Sequence, residues 1–166
     1  MIFADLVNGD SVFLDANTLI YHLAPHPQLG PACHQLVQRI ENQDALGFTS
    51  THILTEVAHR LMTFEAATLA GWSSGQVTRR LRQQPAVIQN LGSFRIAIES
   101  VFNSRIQVLS IPAPLILGAV ALSQQIGLLS NDALIVAVMQ ANGLTKLASH
   151  DADLDRVPGL TRYAPA

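Results

Sequence analysis

The sequence predicts an α/β protein with three layers, in which helices cover both faces of a central parallel sheet of about five strands. Short apolar or β-branched segments alternate with longer segments of helical periodicity, and there is no internal repeat or low-complexity linker. The length of 166 residues is that of one compact domain with a sizeable core. Because strands that alternate with helices are joined by crossovers, they are expected to run parallel. We therefore expect residues 1–166 to form a single domain.

The predicted elements follow one another along the chain with short connections. The predicted strands are Ser11 to Asp15, Ala45 to Thr49, Arg105 to Leu109, Gly127 to Leu129 and Thr145 to Ser149. A helix is expected to start near Asn17, and further predicted helices are Pro31 to Asn42, Thr51 to Ala70, Ser74 to Phe102 with a break at Pro85, Pro112 to Gln125, and Asp132 to Asn142. The segment 71–104 is the least regular and is expected to form a helical excursion from the sheet, a candidate cap or substrate arm.

The composition limits the classes of protein to which the chain can belong. With 49% hydrophobic and 13% charged residues, the chain is expected to form a packed fold that self-associates, not a disordered tail. A formal net charge of -2 argues against strong nonspecific binding to nucleic acid, so such a ligand needs metal ions or a local patch. Arg79, Arg80 and Arg82 form an arginine cluster that either contacts phosphate or is simply an exposed helix face. Aromatic residues make up only 5%, which leaves few to stack on bases.

Targeting signals and cysteine content predict a cytoplasmic location. The segment MIFADLVNGD has neither the basic region nor the apolar core of a signal peptide. The most apolar segment, IPAPLILGAVAL, contains two prolines and is shorter than the roughly 20 residues that a membrane span needs. Cys33 is the single cysteine, which excludes an intramolecular disulfide framework and a thiolate zinc site. We expect a protein that is neither exported nor inserted in a membrane.

Polar and acidic residues follow four of the five predicted strands. They are Asp15 and Asn17 after the first strand, Ser50 and then Glu56 after the second, Asn131 and Asp132 after the fourth, and His150, Asp151, Asp153 and Asp155 after the fifth. In parallel sheets, ligands bind outside the carboxyl ends of the strands. Carboxylates gathered at that edge repel one another, and a bound cation removes the cost. Such an oxygen-rich site suits Mg²⁺ or Mn²⁺.

Each acid also has an ordinary structural interpretation. Asp15 could cap the helix that follows it. Glu56 could form a surface ion pair with Arg60, four residues further along the helix. Asp132 could be favoured by the dipole of the helix that it begins. The acids of segment 151–155 could be a solvated turn. The individual positions therefore leave both interpretations open.

Taken together, four segments resemble the PIN domain family, particularly its VapC-like toxin ribonucleases. They are VFLDANTLIYHL, FTSTHILTEVAHRL, LLSNDALIVAVMQANG and LASHDADLDRVPGL. The resemblance implies that the acidic quartet of the family corresponds to Asp15, Glu56, Asp132 and Asp151. It also places Asn17 and Ser50 at positions beside the quartet that usually hold small polar residues. Leu154 stands where the family usually has an aromatic residue, which keeps Asp153 as a competitor for the fourth acid.

The resemblance implies a metal-dependent endoribonuclease. Asp15 and Asp132 are expected to hold Mg²⁺ or Mn²⁺, and Asp151 completes that site or helps to hold a second ion. Glu56 orients a water molecule or accepts its proton. The expected supporting residues, which fix the carboxylates or contact phosphate, are Asn17, Ser50 and His150.

The resemblance also implies partners. RNA is the expected substrate, and a VapB-like antitoxin, whose C-terminal segment lies across the acidic cleft, completes a type II toxin–antitoxin pair. A homodimer is typical of the family. The alternatives are a PIN domain that processes or binds RNA without an antitoxin, a doubly wound binding module, and a phosphoaspartyl phosphatase of the haloacid-dehalogenase kind. In that last class a second Asp is expected where Asn17 stands, and Lys146, the single lysine, falls at the start of the last predicted strand.

Overall fold

The predicted α/β class is confirmed by the computed structural model, which describes residues 1–166 except for the side chain of residue 74. The strands are β1 (Asp10–Leu14), β2 (Ala45–Ser50), β3 (Gln107–Leu109), β4 (Lys146–Ala148) and β5 (Thr161–Tyr163). They form one sheet in the order β3-β2-β1-β4-β5, and each neighbouring pair is parallel. Helices flank this sheet, as the alternation of elements predicts.

The helices match the predicted segments closely. They are α1 (Ala16–Leu23), α2 (Gly30–Glu41), α3 (Thr51–Ala70), α4 (Val77–Gln83), α5 (Pro85–Gln89), α6 (Ser93–Phe102), α7 (Ala113–Leu122) and α8 (Ser130–Ala141). α3 has the predicted bounds, because Ser50 caps its start and Gly71 adopts a left-handed conformation at its end. Pro85 breaks the predicted long helix and opens α5, at a position where its missing N–H costs nothing.

The central strand β1 explains where the core lies. Val12, Phe13 and Leu14 are fully buried, since β1 has a strand on each side and helices over both faces. A continuous apolar run is typical of a parallel strand buried in this way. The apolar run of β1 therefore ends at Leu14, and the next residue is the buried Asp15.

One strand prediction needs correction, and one strand of the sheet was not predicted. The predicted strand Gly127 to Leu129 is wrong: Ser123–Gly127 is a π-helical turn after α7, and Leu128 and Leu129 run extended into α8. Within the described chain these two residues join no sheet. The fifth strand is instead Thr161–Tyr163, which pairs with β4. Asp132 consequently comes from the first turn of α8 and not from the end of a strand.

The helical excursion predicted for 71–104 is present and has its own small core. Ala66 from α3 packs with Val77, Leu81 and Leu91 in a cluster separate from the main core. Glu65 of α3 fastens the excursion, because its carboxylate accepts hydrogen bonds from the first backbone N–H groups of α6 at 2.9–3.0 Å. Burial opposes ionisation of this carboxylate, but the three donors outweigh it and lower the pKa of Glu65.

Among the described residues, no single helix is long and apolar enough to cross a membrane. The helical segments Ala113–Gly127 and Ser130–Ala141 together have the length and apolar composition of a membrane span, but they are bent by 113° relative to each other.

Candidate active site

The carboxyl ends of three adjacent strands bring most of the predicted site residues to one edge of the sheet. β1 lies between β2 and β4 and ends immediately before Asp15. β2 ends at Ser50, and β4 is followed by Ser149, His150 and Asp151. Parallel strands deliver their carboxyl ends to the same side, which is where α/β proteins bind ligands.

Asp15 is both a helix cap and a member of the acidic edge. Its carboxylate is only 6% exposed. One oxygen, Oδ1, accepts a hydrogen bond from the backbone N–H of Ala16 at 2.6 Å, and Oδ2 accepts one from the Ser149 hydroxyl at 2.7 Å. The Asp15 N–H donates to the carbonyl oxygen of Ala148 at 3.1 Å, which fixes the backbone against β4. The capping interpretation is therefore correct and does not exclude a place in the site.

The electrostatic state of Asp15 links it to the other acids. Burial raises the pKa of Asp15 from 3.8 to about 6, and its hydrogen bonds to Ser149 and Ala16 only partly oppose this. The negative charges of Glu56 and Asp132 raise the pKa of Asp15 further. The ionised carboxylate therefore lacks a compensating positive charge.

Asp132 is coupled to the same group of acids. It is partly buried in the first turn of α8. Burial raises the pKa of Asp132, and the charges of Asp151, Asp153 and Glu56 add to this effect. Arg156 opposes it. The predicted quartet thus lies within electrostatic range, although its members come from β1, α3, α8 and the segment after β4.

Glu56 does not form the ion pair that its position on α3 allows. Within the described side chains, no salt bridge joins Glu56 to Arg60. Arg60 instead lies over the Phe64 ring, with 5.8 Å between its guanidinium carbon and the ring centroid. The negative charge of Glu56 is therefore available to act on Asp15 and Asp132.

The three aspartates of the segment after β4 have different hydrogen-bond partners. Asp151 is held by its N–H, which donates to the Ser149 hydroxyl at 3.0 Å, and its Oδ1 accepts from the N–H of Asp153 at 2.9 Å. Asp153 is exposed and pairs with Arg156. Asp155 accepts two hydrogen bonds, at 2.7 and 2.8 Å, from Arg162 of β5. In the described part of the chain, Asp151 is the one of the three without an arginine hydrogen bond.

The predicted supporting residues occupy different environments. The buried Ser50 hydroxyl accepts from the N–H of Ile53 at 3.3 Å and so caps α3. Asn17 is partly buried in the first turn of α1. His150 is exposed, and its ring meets the Tyr21 ring edge-on with 6.4 Å between centroids. None of these three contacts the Asp15 carboxylate in the described hydrogen-bond network.

Sequence reasoning missed the residues that hold the edge together. Ser149 donates directly to Asp15, and the Arg162 guanidinium binds the Ser149 carbonyl oxygen at 3.2 Å. Thr18 and Thr49 donate to the last carbonyl groups of β4 and β1, at 2.8 and 3.1 Å. A hydroxyl residue at the end of an apolar strand was the available signal for Ser149. No sequence signal identified Arg162, because the strand that carries it was not predicted.

The donor set suits a hard divalent cation. Among the residues that the structure describes, no three His, Cys, Asp or Glu side chains are close enough together to coordinate an ion. However, the raised pKa values of Asp15 and Asp132 indicate carboxylates that gain from a cation between them. Carboxylate oxygens are the ligands that Mg²⁺ and Mn²⁺ prefer. The residues fit such an ion by the chemistry of their oxygen donors.

Known proteins share both the sequence pattern and the fold. A family model described as PIN domain matches residues 12–160. Ribonuclease VapC2 of Methanocaldococcus jannaschii is 25% identical over 150 residues, 89% of either chain. A chain of VapBC2 from Rickettsia felis, solved bound to a DNA fragment from its promoter, has a TM-score of 0.56 at 16% identity, over 93% of this chain and 98% of that one. VapC20 of Mycobacterium tuberculosis, a toxin that cleaves the sarcin–ricin loop, has a TM-score of 0.57 at 17% identity, over 87% and 92%.

Proposed function

Since this chain belongs to the PIN domain family, we propose that it is a metal-dependent endoribonuclease and the toxin of a type II toxin–antitoxin pair of the VapBC kind. A relative that matches most of the chain is named a ribonuclease, and two structures with the same fold come from VapC or VapBC proteins. Ribonucleases of this family generally depend on divalent metal ions. Residues 1–166 act as a single PIN domain in this proposal.

The buried carboxylate of Asp15, with its raised pKa, is the observation that carries the proposal. A carboxylate kept in this position at an electrostatic cost is explained by a cation that offsets the cost. Asp15, Asp132 and Asp151 hold Mg²⁺ or Mn²⁺ in this proposal. When bound, such an ion makes water more acidic and stabilises the negative charge that develops on a phosphodiester during hydrolysis.

The other residues position these groups and handle the proton. Glu56 has no basic partner among the described side chains and accepts the proton of the attacking water. Ser149 fixes the Asp15 carboxylate through its hydroxyl. The ion pair between Asp153 and Arg156 supports Asp151 over Asp153 as the fourth acid. Asn17, Ser50 and His150 support the acidic edge or contact phosphate.

We propose two protein partners and a cytoplasmic location. In this proposal a VapB-like antitoxin covers and inhibits the acidic edge, and the structural neighbour VapBC2 supports an antitoxin partner. A second copy of the chain forms a homodimer. The apolar face of α7 supports self-association, since Leu117 is 75% exposed and both Ile116 and Val120 are 52% exposed.

The phosphoaspartyl alternative finds little support. Its lysine should reach the carboxyl edge of the sheet, but Lys146 begins β4 and pairs with Asp10 at the amino edge. Hydrogen bonds from Lys146 lower the pKa of Asp10. Asn17 also stands where the second aspartate of that class is expected. A PIN domain that processes RNA without an antitoxin remains the second candidate, because the acidic edge is common to both.

The test uses the purified protein without a partner, a mixed set of single-stranded and hairpin RNAs, and Mg²⁺, Mn²⁺ or chelator. We expect cleavage that requires the metal and is lost in Asp15→Asn and Glu56→Gln. Glu99→Gln is the matched control, since this glutamate is exposed on α6 and pairs only with Arg95 among the described residues. Cleavage that persists in chelator or in Asp15→Asn contradicts the mechanism. A trapped aspartyl phosphate after treatment with a phosphoryl donor would favour the phosphatase.

A further inference from the structure

On the basis of the proposed function, we propose that a groove beside the acidic edge binds the unpaired nucleotides next to the scissile phosphodiester. The groove lies between the segment that follows α1 and the middle of α3. Its characteristic side chains are Tyr21, His26, Arg60 and Phe64, and we call it the aromatic groove. This assigns the path of a single-stranded substrate, which the acids alone do not define.

The cavity in the aromatic groove has the volume of a small-ligand site. It measures about 470 Å³, and small or aliphatic side chains complete its lining. Pockets for small ligands are typically about 300–1,000 Å³. A single nucleotide therefore fits within it.

Aromatic rings connect this cavity to the acidic edge. The Tyr21 and His26 rings are 4.4 Å apart between centroids, and the Tyr21 ring approaches the edge of the His150 ring at 6.4 Å. His150 directly follows Ser149, whose hydroxyl donates to Asp15. The rings therefore lead from the groove to His150, the residue beside Ser149 at the acidic edge. Stacking on aromatic side chains binds unpaired bases with about 1–3 kcal/mol each and tolerates any sequence.

Arg60 supplies a positive charge at the wall of this cavity. It lies one helical turn after Glu56 on α3 and is exposed. Within the described part of the chain, Arg60 forms no ion pair, whereas Lys146, Arg156 and Arg162 each pair with an aspartate. An arginine guanidinium can bind phosphate and stack on an aromatic ring together. Arg60 is therefore placed for a phosphate neighbouring the one that is cleaved.

His26 contributes a fixed hydrogen-bond donor. Its Nδ1 accepts from the backbone N–H of Leu29 at 3.0 Å, so in the neutral ring the proton is on Nε2. The same bond orients the ring that packs against Tyr21. In the neutral form, the ring that lines the groove therefore carries its N–H donor at Nε2 and is held in one orientation.

The composition of the groove favours RNA over a protein segment. A second cavity of about 330 Å³ lies on the other side of Phe64 and is lined mainly by apolar residues, Leu23, Leu61 and Leu69 among them. That cavity suits aliphatic side chains of a protein. The aromatic groove is also lined mostly by apolar side chains, but it adds the Tyr21 and His26 rings and Arg60. Rings beside a positive charge are the features by which proteins bind single-stranded nucleic acid.

The experiment measures RNA binding separately from cleavage. In the Asp15→Asn background, which we expect to bind RNA without cleaving it, Arg60→Gln and Phe64→Leu are titrated with a short fluorescein-labelled single-stranded RNA in Mg²⁺, and anisotropy is recorded. We expect each substitution to raise Kd for the RNA about tenfold, which corresponds to the loss of about one stacked base or one phosphate contact. Arg95→Gln and Phe102→Leu are the matched controls, because both side chains are exposed on α6. They should change Kd less than about twofold.

A second readout uses the otherwise unsubstituted protein. Arg60→Gln and Phe64→Leu should raise KM for RNA cleavage and leave kcat nearly unchanged, since they do not contact the reacting atoms. If both variants leave RNA affinity and KM unchanged, the proposal is wrong, even though the nuclease function stands. The proposal is also wrong if they weaken only the binding of an antitoxin. If the protein cleaves no RNA but the variants still weaken RNA binding, the groove assignment stands and the nuclease function fails.

Discussion

Replacing Asp15 by asparagine should change the stability of the fold in a pH-dependent way. The pKa of Asp15 rises from 3.8 to about 6 on folding, mainly because the carboxylate is buried. That difference of about two pH units corresponds to about 3 kcal/mol, at about 1.4 kcal/mol for each unit. Asparagine carries no charge, so the variant avoids this penalty.

The sign follows from proton binding. An acid with a higher pKa in the folded state binds its proton more tightly there, so folding stability falls as the pH rises through the interval from 3.8 to about 6. The penalty is absent well below 3.8 and complete above about 6. The hydrogen bonds from Ser149 and Ala16 are already included in this difference, because they oppose the rise in the pKa of Asp15. Asp15→Asn should therefore be about 3 kcal/mol more stable than the wild type at pH 7, and this advantage should disappear near pH 4.

The assay is urea unfolding with chelator present, at a series of pH values between these limits. Asp155→Asn is a control of opposite sign, because the hydrogen bonds from Arg162 lower the pKa of Asp155. That variant should be less stable than the wild type at neutral pH, and the difference should vanish as the pH falls through the pKa values of this carboxyl group. Adding Mg²⁺ or Mn²⁺ should stabilise the wild type but not Asp15→Asn. A stability difference for Asp15→Asn that does not vary with pH would refute the reasoning.

Four further substitutions test a hydrogen bond at the site, the cap of α6 and the packing at two glycines. Ser149→Ala removes the donor to the carboxylate after β1 and should cost about 1–3 kcal/mol in urea unfolding. Glu65→Gln weakens the cap of α6, and hydrogen exchange should quicken in the first turn of that helix but not in β1. Gly47→Ala places a Cβ atom 2.6 Å from Ile40 Cδ1, so we expect a loss of about 1–3 kcal/mol, whereas Gly118→Ala, with open space in α7, should stabilise by up to about 1 kcal/mol. Equal unfolding midpoints for the two alanine variants would contradict the last prediction.

Local sequence patterns were sufficient for most of the fold. The apolar run that ends at Asp15 identified β1, and the periodicity of Thr51–Ala70 together with the cap at Ser50 defined α3. Both signals involve only a few neighbouring residues, so they can be recognised without tertiary structure. Thr161–Tyr163 was not predicted, because its residues, Thr, Arg and Tyr, contain no apolar run, and they form a strand through pairing with β4.

For the candidate site, sequence identified the residues but not their partners. The assignment of Asp15, Glu56, Asp132 and Asp151 to catalysis stays a prediction, although their charges act on one another. The Arg60 side chain packs on Phe64 and not on Glu56. Residue spacing could not predict this, since Glu56 and Phe64 each lie one turn from Arg60 on α3.

By itself, the sequence determined the strand that ends in an acid, the helices around it and the acidic residues that follow the strands, because these depend on short-range periodicity and capping. Only the tertiary structure decided the strand order β3-β2-β1-β4-β5, which places β1 between β2 and β4. It also joined Ser149 to Asp15 across 134 positions and brought Tyr21, His26 and Phe64 together around Arg60. These contacts depend on how distant segments pack to bury the core, and no local pattern records that packing.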